Sequence, residues 1–310
     1  MPVRDKVRLT KLRELALDAP SRPGRPRYLS AASGLVVVKS FHYVVADDEL
    51  HLGVFPADGA TPGTLFRLFE GELPKDKSDR KREKPDLETL LLLPSFARYE
   101  HGALLAIGSG SKSNRRRGAL LALDERGGIR GQPRVIDLAE LMSPIKKHVG
   151  DLNIEGAVTI GDALILLQRG NRGGGVNALV TMHLPDFLAA LAAGDSVPAQ
   201  PFDVRIYDLG SIDDVPLCFT DGAALPDGRV VFSAVAEDTS DSYSDGPCSG
   251  AAIGILSADG HVQSVRRITP GAKVEGVAAH LEGGRINLLL VTDADDVSVP
   301  ASLYAAEMDD

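Results

Sequence analysis

Short apolar runs alternate with polar, turn-forming residues along the whole chain. The runs at 34–38, 50–55, 103–107, 163–167, 230–234 and 286–292 are rich in Val, Ile and Leu. Gly, Asp, Asn or Ser bound most of them, which is the pattern of short strands joined by tight turns. Asp58 with Gly59, Asp227 with Gly228 and Asp259 with Gly260 mark hairpin corners. Helical periodicity is sparse. The best helix spans 184–193, where Pro185 and Asp186 stand at its first turn. A weaker helix or irregular loop covers 139–149. The mixed charge run KDKSDRKREK at 75–84 reads as a solvated loop between strands, with a partner-binding tail as the alternative.

An internal repeat organises these strands. Five segments read AASGLVVV, LPSFARYEHGALLAIG, LNIEGAVTIGDALILL, CFTDGAALPDGRVVFS and KVEGVAAHLEGGRINLLLV. Anchored on the run after each turn, they place Ser33, Ser95, Glu155, Asp221 and Glu275 at equivalent positions, spaced 62, 60, 66 and 54 residues apart. A four-stranded unit of this size suits a propeller blade, and blades packed in a ring bury each other's faces. The expectation is an all-β, five-bladed β-propeller forming one domain over residues 1–310. The last unit supplies only three strands. The alternating stretch 6–15, with Val7, Leu9 and Leu12, is expected to add the missing outer strand beside 302–307 and close the ring. The alternative is a six-bladed ring with a degenerate blade hidden in 56–92 or 185–216.

Composition narrows the function classes. The chain has 310 residues, a formal net charge of −9 and 44 % hydrophobic residues. An acidic chain without a basic face argues against nucleic-acid binding. No apolar run reaches membrane-spanning length and no signal-peptide pattern opens the chain, so a cytoplasmic, non-membrane protein is expected. Cys218 and Cys248 have no zinc-type spacing and are expected as free thiols, Cys218 buried and Cys248 exposed.

A residue at the same early position in five inner strands points at one axis. Ser33, Ser95, Glu155, Asp221 and Glu275 therefore form the expected central ring. Three carboxylates cannot converge there uncompensated, and a hard divalent cation resolves the conflict. Calcium (Ca2+) suits a wide ring of side-chain oxygens, with magnesium (Mg2+) as the alternative. Glycine after Ser33, Glu155, Asp221 and Glu275 lets the backbone pass close to the axis.

The blade starts NIEGAV and KVEGVA resemble those of calcium-activated nucleotidases of the apyrase type, and more broadly those of phytase-like propellers. The look is closer still to uncharacterised bacterial propellers with SGL and EGL-type starts. The nucleotidase resemblance implies a five-bladed fold with calcium in the central tunnel, held by one Ser or Glu per blade. Glu155 and Glu275 match its acidic positions and Ser33 a serine position. Two positions depart: Ser95 stands where that family has an acid, and Asp221 where it has a serine.

Loops after the second strand of each blade overlook the same mouth. Asp47, Glu237 and Asp293 are candidate bases or ligands of a second cation; Lys112, Arg169 and Arg172 are candidate anion binders; His42 and Arg98 are candidates to reach the mouth. Exposed propeller loops are polar without any function, so these assignments rest on the shared face. GSGSKSN lacks phosphate-loop spacing, GNRGGG lies between strands, and neither HExxH nor GxSxG occurs. Two functions follow: a ligand-binding or structural propeller with a central cation, or a metal-dependent hydrolase of phosphate esters or nucleotides. Either accepts a small anionic ligand at the mouth.

Overall fold

In the computed structural model, residues 5–240 and 246–309 are described. The chain opens with β1 (Lys6–Arg8) and β2 (Thr10–Glu14), then enters the first blade, β3 (Ala32–Val38), β4 (Phe41–Ala46), β5 (His51–Pro56) and β6 (Thr64–Arg67). Helix α1 (Lys77–Glu83) leads to the second blade, β7 (Leu87–Leu93), β8 (Ala103–Gly108), β9 (Arg117–Leu123) and β10 (Ile129–Asp137). Helix α2 (Ala139–Val149) precedes the third, β11 (Ile154–Ile160), β12 (Ala163–Gln168) and β13 (Asn177–His183), then α3 (Leu184–Ala193) and β14 (Phe202–Tyr207). The short β15 (Ser211–Ile212) forms a hairpin into the fourth blade, β16 (Val215–Ala224), β17 (Val230–Glu237), β18 (Cys248–Leu256) and β19 (Val262–Thr269). The fifth holds β20 (Val274–Glu282), β21 (Arg285–Thr292) and β22 (Ser302–Asp309).

Five sheets make a five-bladed propeller. The innermost strands β3, β7, β11, β16 and β20 pack one against the next, and β20 returns to β3. Five apolar clusters follow, one for each interface between neighbouring blades. Segments 56–92 and 185–216 hold helices and strands of these blades and hide no sixth.

Closure uses the N-terminus twice. β2 pairs antiparallel with β22 as the fifth blade's fourth strand, as the alternating pattern predicts. Val7 departs from that expectation: β1 pairs in parallel with β19, placing Val7 opposite Ile268 on the fourth blade. Val7 and Leu9 are buried there, whereas Leu12 points to solvent at 51 % exposure. The segment thus staples two blades together.

The helices at 139–149 and 184–193 both form, and their apolar faces join the core between the second and third blades. The charge run at 75–84 folds too, contrary to the loop expectation. Asp76 caps α1 by accepting the N–H groups of Ser78 and Asp79. Cys218 is buried and Cys248 exposed, both as free thiols.

Candidate functional site

Each innermost strand carries a β-bulge at the same height. It lies between Ala32 and Gly34, Leu87 and Thr89, Ile154 and Gly156, Phe219 and Asp221, and Val274 and Gly276. The unpaired residues are therefore Ser33, Glu88, Glu155, Thr220 and Glu275. A bulge re-aims one side chain out of the regular alternation. Ser33, Glu88, Glu155 and Glu275 line a cavity of about 80 Å³ on the axis.

Two expected ring members stand elsewhere. Ser95 is exposed in the β7–β8 turn on the opposite face, and Glu88 holds the second blade's ring position. Asp221 follows the bulge rather than forming it. Its buried carboxylate accepts the N–H of Gly222 at 2.7 Å and of Val277 at 2.9 Å, and a third bond comes from the Leu35 amide. Asp221 thus ties three inner strands together away from the cavity. Burial pushes this carboxyl well above its ordinary value, against the pull of those amides. The Thr220 hydroxyl is satisfied by Ser233 and the Val274 carbonyl, so it does not face the cavity.

Space explains the glycines. A Cβ on Gly156 would lie 2.8 Å from the Asp221 carboxylate, and one on Gly276 would lie 2.9 Å from the Leu35 amide. These positions let inner strands close on the axis and leave room for Asp221.

The loops after the second strands complete the wall. Asp47, Arg169, Glu237 and Asp293 line the cavity as their positions suggest. His42, Arg98 and Lys112 do not. His42 is buried at the far end of β4, beside the hairpin on the opposite face, and its Nδ1 has no partner. Arg98 lies in the same turn as Ser95, over the Tyr99 ring. Lys112 precedes the 3-10 turn Ser113–Arg115, whose Arg115 reaches the cavity instead. Arg172 pairs with Asp238 at 3.2 Å on the surface. Of the loop at 237–245, residues 241–245 lie outside the described residues.

Two residues before each bulge stand Ala31, Asp86, Asn153, Cys218 and Lys273, a second tier whose five different residue types carry no repeat signal in the sequence. Asp86, Asn153 and Lys273 line the cavity. Among the described residues, eight carboxylates and five basic groups line it, a deficit of three positive charges when all are ionised.

The basic groups are each engaged. Arg169 contacts Glu237, lies 3.4 Å from Glu155 and 4.0 Å from Glu275. Lys273 lies 3.3 Å from Glu275 and 2.6 Å from Asp295. Lys84 contacts Asp47 and lies 2.8 Å from Asp86, which Arg115 also meets at 2.7 Å. Burial pushes Asp86 upward, but Lys84 and Arg115 outweigh it and hold the group below the ordinary carboxylate range.

The remaining acids are under-compensated. Burial, with Glu275 nearby, pushes Glu155 up to about 8 despite Arg169. Burial and the acids Glu155, Asp86 and Asp47 push Glu88 well above its ordinary value. Asp47 is pushed up to about 6 by burial, partly offset by Lys84. Glu88 accepts no hydrogen bond among the described residues, and Glu275 Oε2 is buried without one. One carboxylate oxygen each from Asp47, Asp86 and Glu88 lies within 4.8 Å of the others. This all-oxygen set suits a hard cation, which would compete with the Lys84 ammonium that bridges Asp47 and Asp86.

The protein is thus a five-bladed propeller with an acid-lined axial cavity. It belongs to a family of unknown function, DUF6929, whose profile matches residues 28–308. No curated protein matches the sequence. Among solved structures, the chain is similar to Myxococcus xanthus glutaminyl cyclase, with 12 % identity, full coverage of both chains and a TM-score of 0.48. It is also similar to the α-L-arabinofuranosidase Arb93A of Fusarium graminearum, with 10 % identity, 97 % and 98 % coverage and a TM-score of 0.43.

Proposed function

We propose that this propeller holds one divalent cation, calcium, in its axial cavity and uses it to bind a small anionic ligand at the mouth. The carrying observation is a cavity where, among the described residues, eight carboxylates outnumber five basic groups and Glu275 Oε2 is buried without a hydrogen-bond partner. Ser33, Glu88, Glu155 and Glu275 supply its oxygens, and Asp47 and Asp86 flank Glu88. Four of the five bulge residues, a hydroxyl and three acids, line the cavity, and Thr220 turns its hydroxyl away from it. With Glu88 in place of Ser95, the second blade carries the acid that the resemblance to calcium-activated nucleotidases implies, and the fourth blade still departs from it. Calorimetric titration of chelator-stripped protein with calcium and with magnesium tests this. One saturable site weakened at least tenfold by Glu88→Gln is expected; heat-silent titrations without a rise in melting temperature contradict it.

A second reading, hydrolysis of phosphate esters, is favoured by Arg169, Lys84, Arg115 and Lys273 lying in the same cavity as the acids. Guanidinium and ammonium groups there would hold phosphoryl oxygens, and a cation bound by the acids would supply polarisation. Calcium-dependent release of phosphate from a nucleoside diphosphate or a phosphomonoester, abolished by Arg169→Met, would select it. Binding of the same compounds without turnover selects the first reading.

A further inference from the structure

We infer that α1 is a lid over the axial cavity, latched by ion pairs and by Lys84 above all. Residues 75–84 carry six basic and three acidic side chains, a local excess of positive charge in a chain of net charge −9. That charge faces the acidic mouth. Lys81 and Lys84 form part of the cavity wall.

What holds the segment down is polar. Lys84 bridges Asp47 and Asp86. Arg80 sits 3.5 Å from Asp48 and 3.6 Å from Glu49, and also bonds the Asp48 carbonyl. Arg115 donates to the Lys81 carbonyl at 2.7 Å, and Asn114 donates to the carbonyls of Arg82 and Lys84 at 3.2 and 3.1 Å. No residue of 75–84 belongs to any of the five apolar clusters. Raising the lid therefore withdraws no apolar side chain of the segment from the core and breaks ion pairs and hydrogen bonds, of which salt weakens the ion pairs that water reaches. The Asp76 cap is internal to the segment, so the helix can move as a unit.

A path is also present. A cleft of about 100 Å³ lies between Lys77, Arg80 and Lys81 on one wall and Asp293, Asp296 and Val297 on the other. It shares Asp47, Lys81 and Lys84 with the cavity. Lifting α1 widens this cleft into an entrance sized for a small ligand. The lid governs access whether or not an ion is bound, so it stands apart from the cation reading.

Native-state trypsin digestion tests it, because the segment is dense in cleavage sites. First cuts are located by mass spectrometry and normalised to cleavage at Arg126 in an exposed turn. Raising salt from about 0.05 to about 0.5 M should accelerate cutting within 75–84 several-fold with the rest of the ring intact. Lys84→Met should reproduce that acceleration at low salt and blunt the salt response. Amide exchange of the same residues in wild-type protein gives the second readout, independent of how the variant folds. Cleavage and exchange at 75–84 that ignore salt would overturn the lid. Calcium titration on the same samples reports the cation reading separately.

Discussion

What a carboxylate does on this axis depends on what its oxygens touch. Asp221 is buried and saturated by backbone amides, whereas Glu88 is half-buried on the cavity wall and has no donor among the described residues. Replacing Asp221 by Ala strands three buried N–H groups, each worth about 1–3 kcal/mol. Chemical denaturation should show a loss of at least about 3 kcal/mol, while calcium affinity of the folded fraction changes little. Glu88→Gln should do the reverse: in chelator it melts no lower than wild type, and with calcium it loses most of the wild-type gain. A Glu88→Gln protein that is unstable in chelator contradicts this division of roles. The pH response has a definite sign. In chelator, Glu155 is held up to about 8, against an ordinary value of 4.5. Over that interval the folded state keeps a proton that the unfolded chain has lost, so stability falls as pH rises. Asp86 and Glu49, held below their ordinary values, act in the opposite sense but only below about pH 4.5. Between pH 7 and 8.5 apo stability should fall, calcium affinity should rise, and binding should release protons. An affinity flat across that range would contradict the assignment.

At the scale of elements, β1 and β2 do the work of a clasp. Val7, Leu9 and Leu15 are buried by neighbours on two blades and the adjoining interface. Deleting residues 1–15 removes about 5 kcal/mol or more of apolar burial and bares the edges of β19 and β22. The expected result is a large drop in melting temperature with a tendency to aggregate; an unchanged melt would refute the clasp. The alternation that signals β2 is legible in the sequence, and so are five repeats, α3 and the acid–glycine starts of the third and fifth blades. Two registers are hidden for physical reasons. In the second blade the acid precedes Thr89 rather than glycine and follows the charge run of α1, so it blends into that run. In the fourth blade the TDG triplet mimics an acid–glycine start, but the bulge falls on Thr220 and Asp221 takes the glycine position. A bulge shifts register by one residue, and only strand pairing reveals which residue it skips. Helix α1 is hidden for a related reason: an all-polar helix has no apolar periodicity, and its partners come from the distant loops at 47–49 and 114–115.

Across the whole molecule, five apolar interfaces fix the blades, and the axis gathers the charges that no interface could bury. The ring brings Ser33, Glu88, Glu155 and Glu275 to the wall of one cavity. Arg169, Lys273, Lys84 and Arg115 pair with several of the acids, and with all eight acids ionised a negative charge remains at the centre. On the proposed reading a divalent ion complements that charge, beneath the positively charged α1. The most direct test is an X-ray structure of protein crystallised with calcium, with data collected where calcium scatters anomalously. The account predicts one strong anomalous peak on the propeller axis, ligated by carboxylate oxygens of Glu88, Glu155 and Glu275 and approached by Ser33. An axis without such a peak at saturating calcium, with Arg169 or Lys84 filling the space between those carboxylates, would contradict it.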